Sequence, residues 1–286
     1  MSENDRPPGP GIEPEKVEAQ DAGRFAYLAV NRPVIVRRAL LSTALGGVIP
    51  VPVMDEYVSG RVRAGLLMRL AEQRKVDLPQ SAAELLADPP EASTVRHATL
   101  TAMTLIALRL AWRKFFALLA AGRGAEEMAS TFQFATLFDH YCAKIHVGSG
   151  IDRKRAFELR AVILATVERT EKATLVAVFR DGGRVLGRSL LEAPRWITTR
   201  LGTLAQRWVS TRGNAEATFD PAADLAPEGE TQWLDRASKA VEDRLGGVGQ
   251  DYLGILIDDF ERRWAASVSQ AAGAGQPPPP NPSQGN

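Results

Sequence analysis

Between Arg38 and Asp55 the chain carries no charge. That run has to be hidden from water, and Pro50 and Pro52 interrupt it before it reaches the about 20 apolar residues that a membrane span needs. Proline lacks an N–H and clashes with the preceding turn, so a helix entering Pro50 stops or kinks. The same residue is welcome at a first helical position, so Pro52 can open a second arm. Asp55 and Glu56 then fall in the opening turn of that arm, where the positive end of the helix dipole favours carboxylates by roughly 0.3–1 kcal/mol. The pattern predicts a helical hairpin. Its first arm is apolar, Ala39 to Ile49. Its second is amphipathic, running to about Arg74, with Val58, Val62, Leu66 and Leu70 on one stripe and Arg61, Arg63 and Arg69 turned to water. A hairpin buried in protein satisfies these constraints, and so does one dipping into lipid; a full span does not.

Residues 39–78 resemble the hairpin of the EcsC-like family and related bacterial domains of unknown function. The features carrying the resemblance are the apolar helix, a Pro-x-Pro-x-x-Asp turn at Pro50, Pro52 and Asp55, and the run Leu66-Leu67-Met68-Arg69-Leu70-Ala71. Family members often close the second arm with glycine; here Lys75-Val76-Asp77-Leu78-Pro79 stands in its place. The resemblance implies an all-helical, often membrane-associated protein without established catalysis, and it brings no active-site residue with it.

A chain of 286 residues can bury a sizeable core in one or two domains. Its net charge of +1 gives no global pull toward nucleic acid. A single cysteine rules out an internal disulfide framework and fits a reducing cytoplasm. Residues 1–18 are polar and proline-rich, without the basic and apolar regions of a secretory signal. The expected location is therefore the cytoplasm, peripheral to the inner membrane if the membrane reading holds.

The expected organisation is a disordered tail over 1–22, a helical core domain over 23–212, a linker over 213–232, an acidic helical hairpin over 233–268 and a disordered tail over 269–286. Within the core, Pro33 reads as the first helical residue of the hairpin's leading arm, and Ser81-Ala82-Ala83-Glu84 as a capping box. Thr94 to Ala121 is apolar over more than half its circumference and reads as a central bundle helix. Arg109, Arg113 and Lys114 keep it out of a bilayer, at about 2.5–3.5 kcal/mol each in mid-membrane. Glu126 to Ile145 forms the next helix. Gly148-Ser149-Gly150 breaks it, and Asp152 caps a helix from Arg153 to about Phe179. The stretch 174–187 fits either helix or a hairpin around Asp181-Gly182-Gly183, with helix preferred.

Asp139, Cys142 and His146 lie three and four residues apart on one predicted helix, and they are the nameable catalytic candidates: a thiolate needs a neighbouring base, and an imidazole at i+4 could reach it. Against this, Cys142 also falls on the apolar stripe, where a free cysteine acts as a small hydrophobe. His140 points to another face, which leaves no three-ligand metal set. The glycine clusters lack the Lys-Ser/Thr and the preceding strand of a phosphate-binding loop, so no cofactor is expected.

The charge distribution is more informative. From Arg180 to Arg212 seven arginines face two acids, a local balance of +5, whereas Glu216 to Arg263 has twelve acids against five bases. From about Pro194 the pattern is an amphipathic helix with Trp196 and Trp208 near its ends. Arginines flanked by tryptophans suit a lipid surface or an acidic partner, including this chain's own acidic region. The predicted contact residues are Arg184, Arg188, Arg195, Trp196, Arg200, Arg207 and Trp208. No nucleic-acid reading motif accompanies them.

The sequence thus predicts an all-α bundle around a proline-broken hairpin. The expected function is non-catalytic: peripheral association with an anionic membrane surface or a membrane-bound protein. The rivals are a soluble scaffold that binds another protein through its acidic C-terminal helices, and an enzyme using an unrecognised bundle site. The oligomeric state is not encoded in any of these patterns.

Overall fold

A computed structural model of the chain describes residues 23–48, 52–87, 123–192, 232–246, 248 and 250–274. Within them the protein is all-α. Eight helices follow a short 3₁₀ turn at Ala26–Leu28: α1 Arg32–Val48, α2 Pro52–Gln73, α3 Gln80–Ala87, α4 Arg123–His140, α5 Arg153–Arg169, α6 Ala173–Glu192, α7 Gln232–Leu245 and α8 Gln250–Ala274. The only extended pairing among the described residues is a single parallel bridge, Asp77 to Gly150.

The hairpin is present. α1 and α2 pack against each other, and the end of α2 returns to the start of α1, where Arg74 donates to the Tyr27 carbonyl at 2.7 Å. Pro52 opens α2 and Asp55 follows three residues later; Pro50 lies outside the described residues. The leading arm begins well before the apolar run. The Ile35 N–H bonds the Asn31 carbonyl at 3.0 Å, which puts Asn31 at the N-cap and Pro33 at the second helical position. On α2, Val62, Leu66 and Leu70 are buried as their spacing demands, and Leu67 joins them. Arg61 reaches across to Glu84 on α3 at 2.5 Å.

α2 ends without glycine. Lys75 takes a left-handed φ of 59°. The Val76 N–H reaches back to the Ala71 carbonyl at 2.9 Å, and the Lys75 N–H reaches the Glu72 carbonyl at 3.0 Å. This is the Schellman arrangement, with lysine in the position that normally favours glycine. α3 also begins differently from the capping box. The Pro79 carbonyl accepts from the Ala82 and Ala83 N–H groups, Ser81 lies inside the helix, and Glu84 is held by Arg61 and Gln80.

α4 is the hub, packing against α1, α2, α5, α6 and α8. Its last turn widens into a π-helical turn over Tyr141–Ile145, closed by the His146 N–H on the Tyr141 carbonyl at 2.8 Å. The glycine cluster that follows has a specific task. Gly150 lies against the strand-like Asp77, and a Cβ there would meet the Asp77 carbonyl at 2.9 Å. Asp152 caps α5, accepting from the Arg155 N–H at 2.7 Å.

The expected long helix from Arg153 is two helices. Thr170 adopts an extended ψ of 134°, and its hydroxyl bonds back to the Thr166 carbonyl at 2.9 Å, a local bond that competes with helix continuation. α6 then runs unbroken through Gly182 and Gly183 to Glu192. α7 packs on α6 and α1, and α8 packs on α5 and α4, so both acidic helices add side chains such as Leu234, Val241, Phe260 and Trp264 to one continuous apolar cluster. No described helix is long and apolar enough to cross a membrane. α8 runs on through 269–274, which the sequence reading assigns to a disordered tail, and α7 takes in the last residue of the expected linker, Gln232. The predicted helix over Thr94–Ala121, the tail over 1–22, the linker over 213–231, the remainder of the C-terminal tail and the helix from about Pro194 lie outside the described residues.

Candidate functional site

The most heavily polar part of the interior lies where α2, α4 and α8 meet beneath the 3₁₀ turn. Asp139, near the end of α4, is fully buried. A buried carboxylate is costly unless it is paired and its lone pairs are satisfied. Arg74 supplies a two-pronged partner, Nε to Oδ1 at 2.8 Å and Nη2 to Oδ2 at 2.7 Å, and the Asn31 amide donates to Oδ1 at 2.7 Å. The hydrogen bond to Asp139 raises the Arg74 pKa further. Three chain segments that are far apart in sequence are thereby fixed to one carboxylate.

His140, the next residue, is also buried. Its Nδ1 lies 2.5 Å from the Tyr27 hydroxyl. On the other side its Nε2 lies 3.1 Å from Glu261 on α8, within ion-pair distance but outside hydrogen-bond geometry. Burial lowers the His140 pKa, and Glu261 opposes that shift. The ring is therefore neutral near pH 7, and Nδ1 is the acceptor if Tyr27 keeps its proton. Burial, with the charges of Glu261 and Asp139 behind it, pushes the Tyr27 hydroxyl up to about 12. Hydroxyl, imidazole and carboxylate stand in series, but the phenol holds its proton firmly, so the series acts as a tie rather than as an activated nucleophile. Lys144 closes the arrangement, its Nζ 4.8 Å from the Tyr27 ring centroid.

The catalytic candidates are brought near one another without being paired. Asp139 is occupied by Arg74 and Asn31. Cys142 is buried, and burial followed by the Asp139 charge pushes its thiol far up, away from the thiolate. His146 sits past the π-helical turn with an extended ψ of 130°. Its ring therefore lies against Tyr141, 5.8 Å between centroids, and its Nε2 has no hydrogen-bond partner. The wider π turn is what undoes the i, i+4 stacking expected of an ordinary helix. Among the described residues no cluster could hold a metal ion.

Of the predicted contact residues, Arg184 is exposed on α6 and pairs with Asp181 at 2.9 Å. Arg188 lies further along α6. Arg195, Trp196, Arg200, Arg207 and Trp208 fall outside the described residues. Asp181 also takes Arg244 of α7, so a basic-segment helix and an acidic-segment helix do meet, with the polarity of that ion pair reversed from the bulk charge.

Sequence reasoning missed Arg74, Asn31, Tyr27, His140 and Glu261 as a set. One signal was available: Asp139 falls on the buried face of a helix, beside Phe138, and an acid there requires a cation from elsewhere. Nothing in the sequence says which of 35 basic residues supplies it. Compared with family models, with curated proteins and with solved structures, the chain finds no match in any of the three.

Proposed function

We propose that the protein is a non-catalytic helical protein that associates peripherally with an anionic membrane surface, or with a protein bound there, on the cytoplasmic side. The observation that carries this reading is the orientation of α6. Leu175, Val176, Phe179 and Leu186 are buried where the helix packs on α4 and α7. Its arginines Arg180 and Arg184 face outward, and the chain leaves α6 directly into the stretch that carries Arg195, Arg200, Arg207 and Arg212 with Trp196 and Trp208. Basic residues near an anionic surface are worth about 1 kcal/mol each, and tryptophans settle at headgroup depth. The resemblance of residues 39–78 to the EcsC-like hairpin points the same way.

Vesicle flotation tests it. The full chain is expected to float with vesicles containing phosphatidylglycerol, to stay behind with phosphatidylcholine alone, and to be released by high salt. The triple variant Arg195→Glu, Arg200→Glu, Arg207→Glu is expected to lose most of the binding. A protein that stays soluble with anionic vesicles and also with native membranes would overturn the proposal; retention on native membranes alone would assign the contact to a membrane-bound protein.

A further inference from the structure

The 3₁₀ turn ahead of α1 packs on α4, and its two buried side chains, Phe25 and Leu28, belong to the apolar core. Polar groups then tie the turn to three helices. Arg24 meets Asp258 of α8 at 2.5 Å. The Tyr27 carbonyl accepts from Arg74 of α2 at 2.7 Å. The Tyr27 hydroxyl lies 2.5 Å from Nδ1 of His140 on α4. The other ring nitrogen of His140 faces Glu261 of α8 at 3.1 Å. One buried imidazole therefore has the turn on one side and α8 on the other.

The two sides respond in opposite ways to a proton. In the neutral ring Nδ1 accepts the phenol proton and the Nε2 hydrogen lies toward Glu261. An imidazolium has two donors and no acceptor. Its Nε2–H then meets Glu261 with a full positive charge, which strengthens the α8 side. Its Nδ1–H points at the Tyr27 oxygen, so the phenol has to turn its own proton away. That nitrogen is the hydroxyl's one hydrogen-bond partner among the described residues. The cations beside the Tyr27 ring, Lys144 at 4.8 Å and Arg74 at 5.8 Å from its centroid, only donate. The charges around the imidazole divide the same way. Arg24, on the turn side, repels a cation there, while Glu261 of α8 attracts it. Asp258 of α8 is held by Arg24. Asp139, on the ring's own helix, also attracts the cation, but its oxygens are shared with Arg74 and Asn31. Phe260 of α8 meets the ring at its edge and adds no charge.

We infer that His140 is an acid-sensitive latch on the segment that enters the bundle: a proton on its ring loosens residues 23–30 while α8 stays seated. Loosening brings Phe25 and Leu28 out of the core and leaves the α4–α8 contact in place. The latch works whether or not the basic stretch after α6 meets a membrane.

Amide hydrogen exchange on the full chain reads the two sides separately. In the turn the Leu28, Ala29 and Asn31 N–H groups bond the Phe25, Ala26 and Leu28 carbonyls, and residues 256–264 of α8 supply the comparison. Protection is corrected for the intrinsic pH dependence of exchange. From pH 7.5 to pH 5 the turn amides are expected to lose about fivefold or more protection beyond any loss in α8, the worth of one hydrogen bond. The His140 ring resonance is expected to titrate over the same range. Tyr27→Phe, at a half-buried position, keeps the ring and removes the donor. Its turn is expected to be loose at both pH values, with no further fall in acid. His140→Gln is expected to make the difference between turn and α8 independent of pH. Equal losses in the turn and α8 would mean that the proton weakens the whole fold, and a larger loss in α8 would put the weak side opposite to the one inferred; either result overturns the latch. So would a His140 ring that stays neutral down to pH 5, or an acid loosening of the turn that persists in His140→Gln.

Discussion

At the polar knot, α2 is tied to α4 through a guanidinium and a buried carboxylate. At the seam between α6 and α7 the helices meet through a glycine and a valine. Gly182 is buried, and a Cβ there would lie 2.1 Å from Cγ2 of Val241. The seam's charges, Asp181, Arg184 and Arg244, sit at its edge in water. One region is held by a few directional bonds out of water and the other by the absence of a side chain. The knot is specific and costly to break, because a lone buried charge has no substitute partner. The seam depends on how closely two backbones approach, and it tolerates loss of its charges.

The largest effect is expected at the knot. Arg74→Met leaves the Asp139 carboxylate buried and unpaired, at a cost of about 3–5 kcal/mol in urea unfolding. Arg74→Lys keeps the charge but loses the two-pronged geometry, and an intermediate loss is expected. The double variant Arg74→Met, Asp139→Leu removes both charges and is expected to recover most of the stability. A loss under about 1 kcal/mol for Arg74→Met would mean that water reaches the carboxylate, and the contrast with the seam would disappear.

Next comes the seam itself. Gly182→Ala forces the new methyl into Val241, whose branched side chain has little rotamer freedom, so about 1–3 kcal/mol of overpacking is expected. Combining it with Val241→Ala is expected to cost less than the two single changes added together, since the second opens the space the first requires. Simple additivity would place the strain elsewhere.

The knot also carries a titratable ring, His140. His140 has a folded pKa below its ordinary value of about 6.5, chiefly through burial. The folded state then binds fewer protons than the unfolded one, so stability rises with pH. The contribution is complete above about pH 6.5 and is lost as pH falls through the folded value. Tyr27 and Glu261 flank the ring, and the charges of Arg24 and Asp139 also act on it. Glu261 works against the depression, so Glu261→Gln is expected to deepen it and extend the acid loss to lower pH. His140→Gln is expected to flatten the slope. An unchanged slope in His140→Gln, measured by denaturation from pH 8 to pH 5, would move the proton uptake to another group.

Much of the fold was legible because it rests on local rules. The proline pair and the uncharged run mark the hairpin, and the side chain of Asp152 caps α5 at the predicted residue. The π-helical turn was not legible. Tyr141 to Ile145 continues an ordinary apolar period, and nothing in that period marks the extra residue per turn; in the fold the turn sets Tyr141 against Trp264 of α8, 5.0 Å between ring centroids. The break at Thr170 was missed because it has neither glycine nor proline. The knot was missed because its members lie 65 and 108 residues from Asp139, and no sequence period links partners at such separations.

A smaller, stabilising effect is expected at Lys75. Its left-handed φ of 59° costs a lysine about 1 kcal/mol that glycine does not incur. Lys75→Gly is expected to raise stability by up to about that amount, reduced by the greater freedom glycine has in the unfolded chain. It would do so without touching Arg74 beside it. Destabilisation would mean that the lysine side chain contributes to holding the end of α2.

The smallest effect is expected from the seam's charges. Asp181 accepts from Arg184, one turn away at 2.9 Å, and from Arg244 across the seam. Both arginines are more than half exposed, so water and salt take up most of what the pairs gain. Asp181→Asn is expected to cost less than about 1 kcal/mol, and that loss is expected to vanish in high salt. Arg74→Met, by contrast, should keep its full cost at any ionic strength, because its carboxylate is out of reach of ions. If Asp181→Asn proved as costly as Gly182→Ala and insensitive to salt, the seam would depend on its charges as the knot does, and backbone proximity would no longer explain how α7 is held.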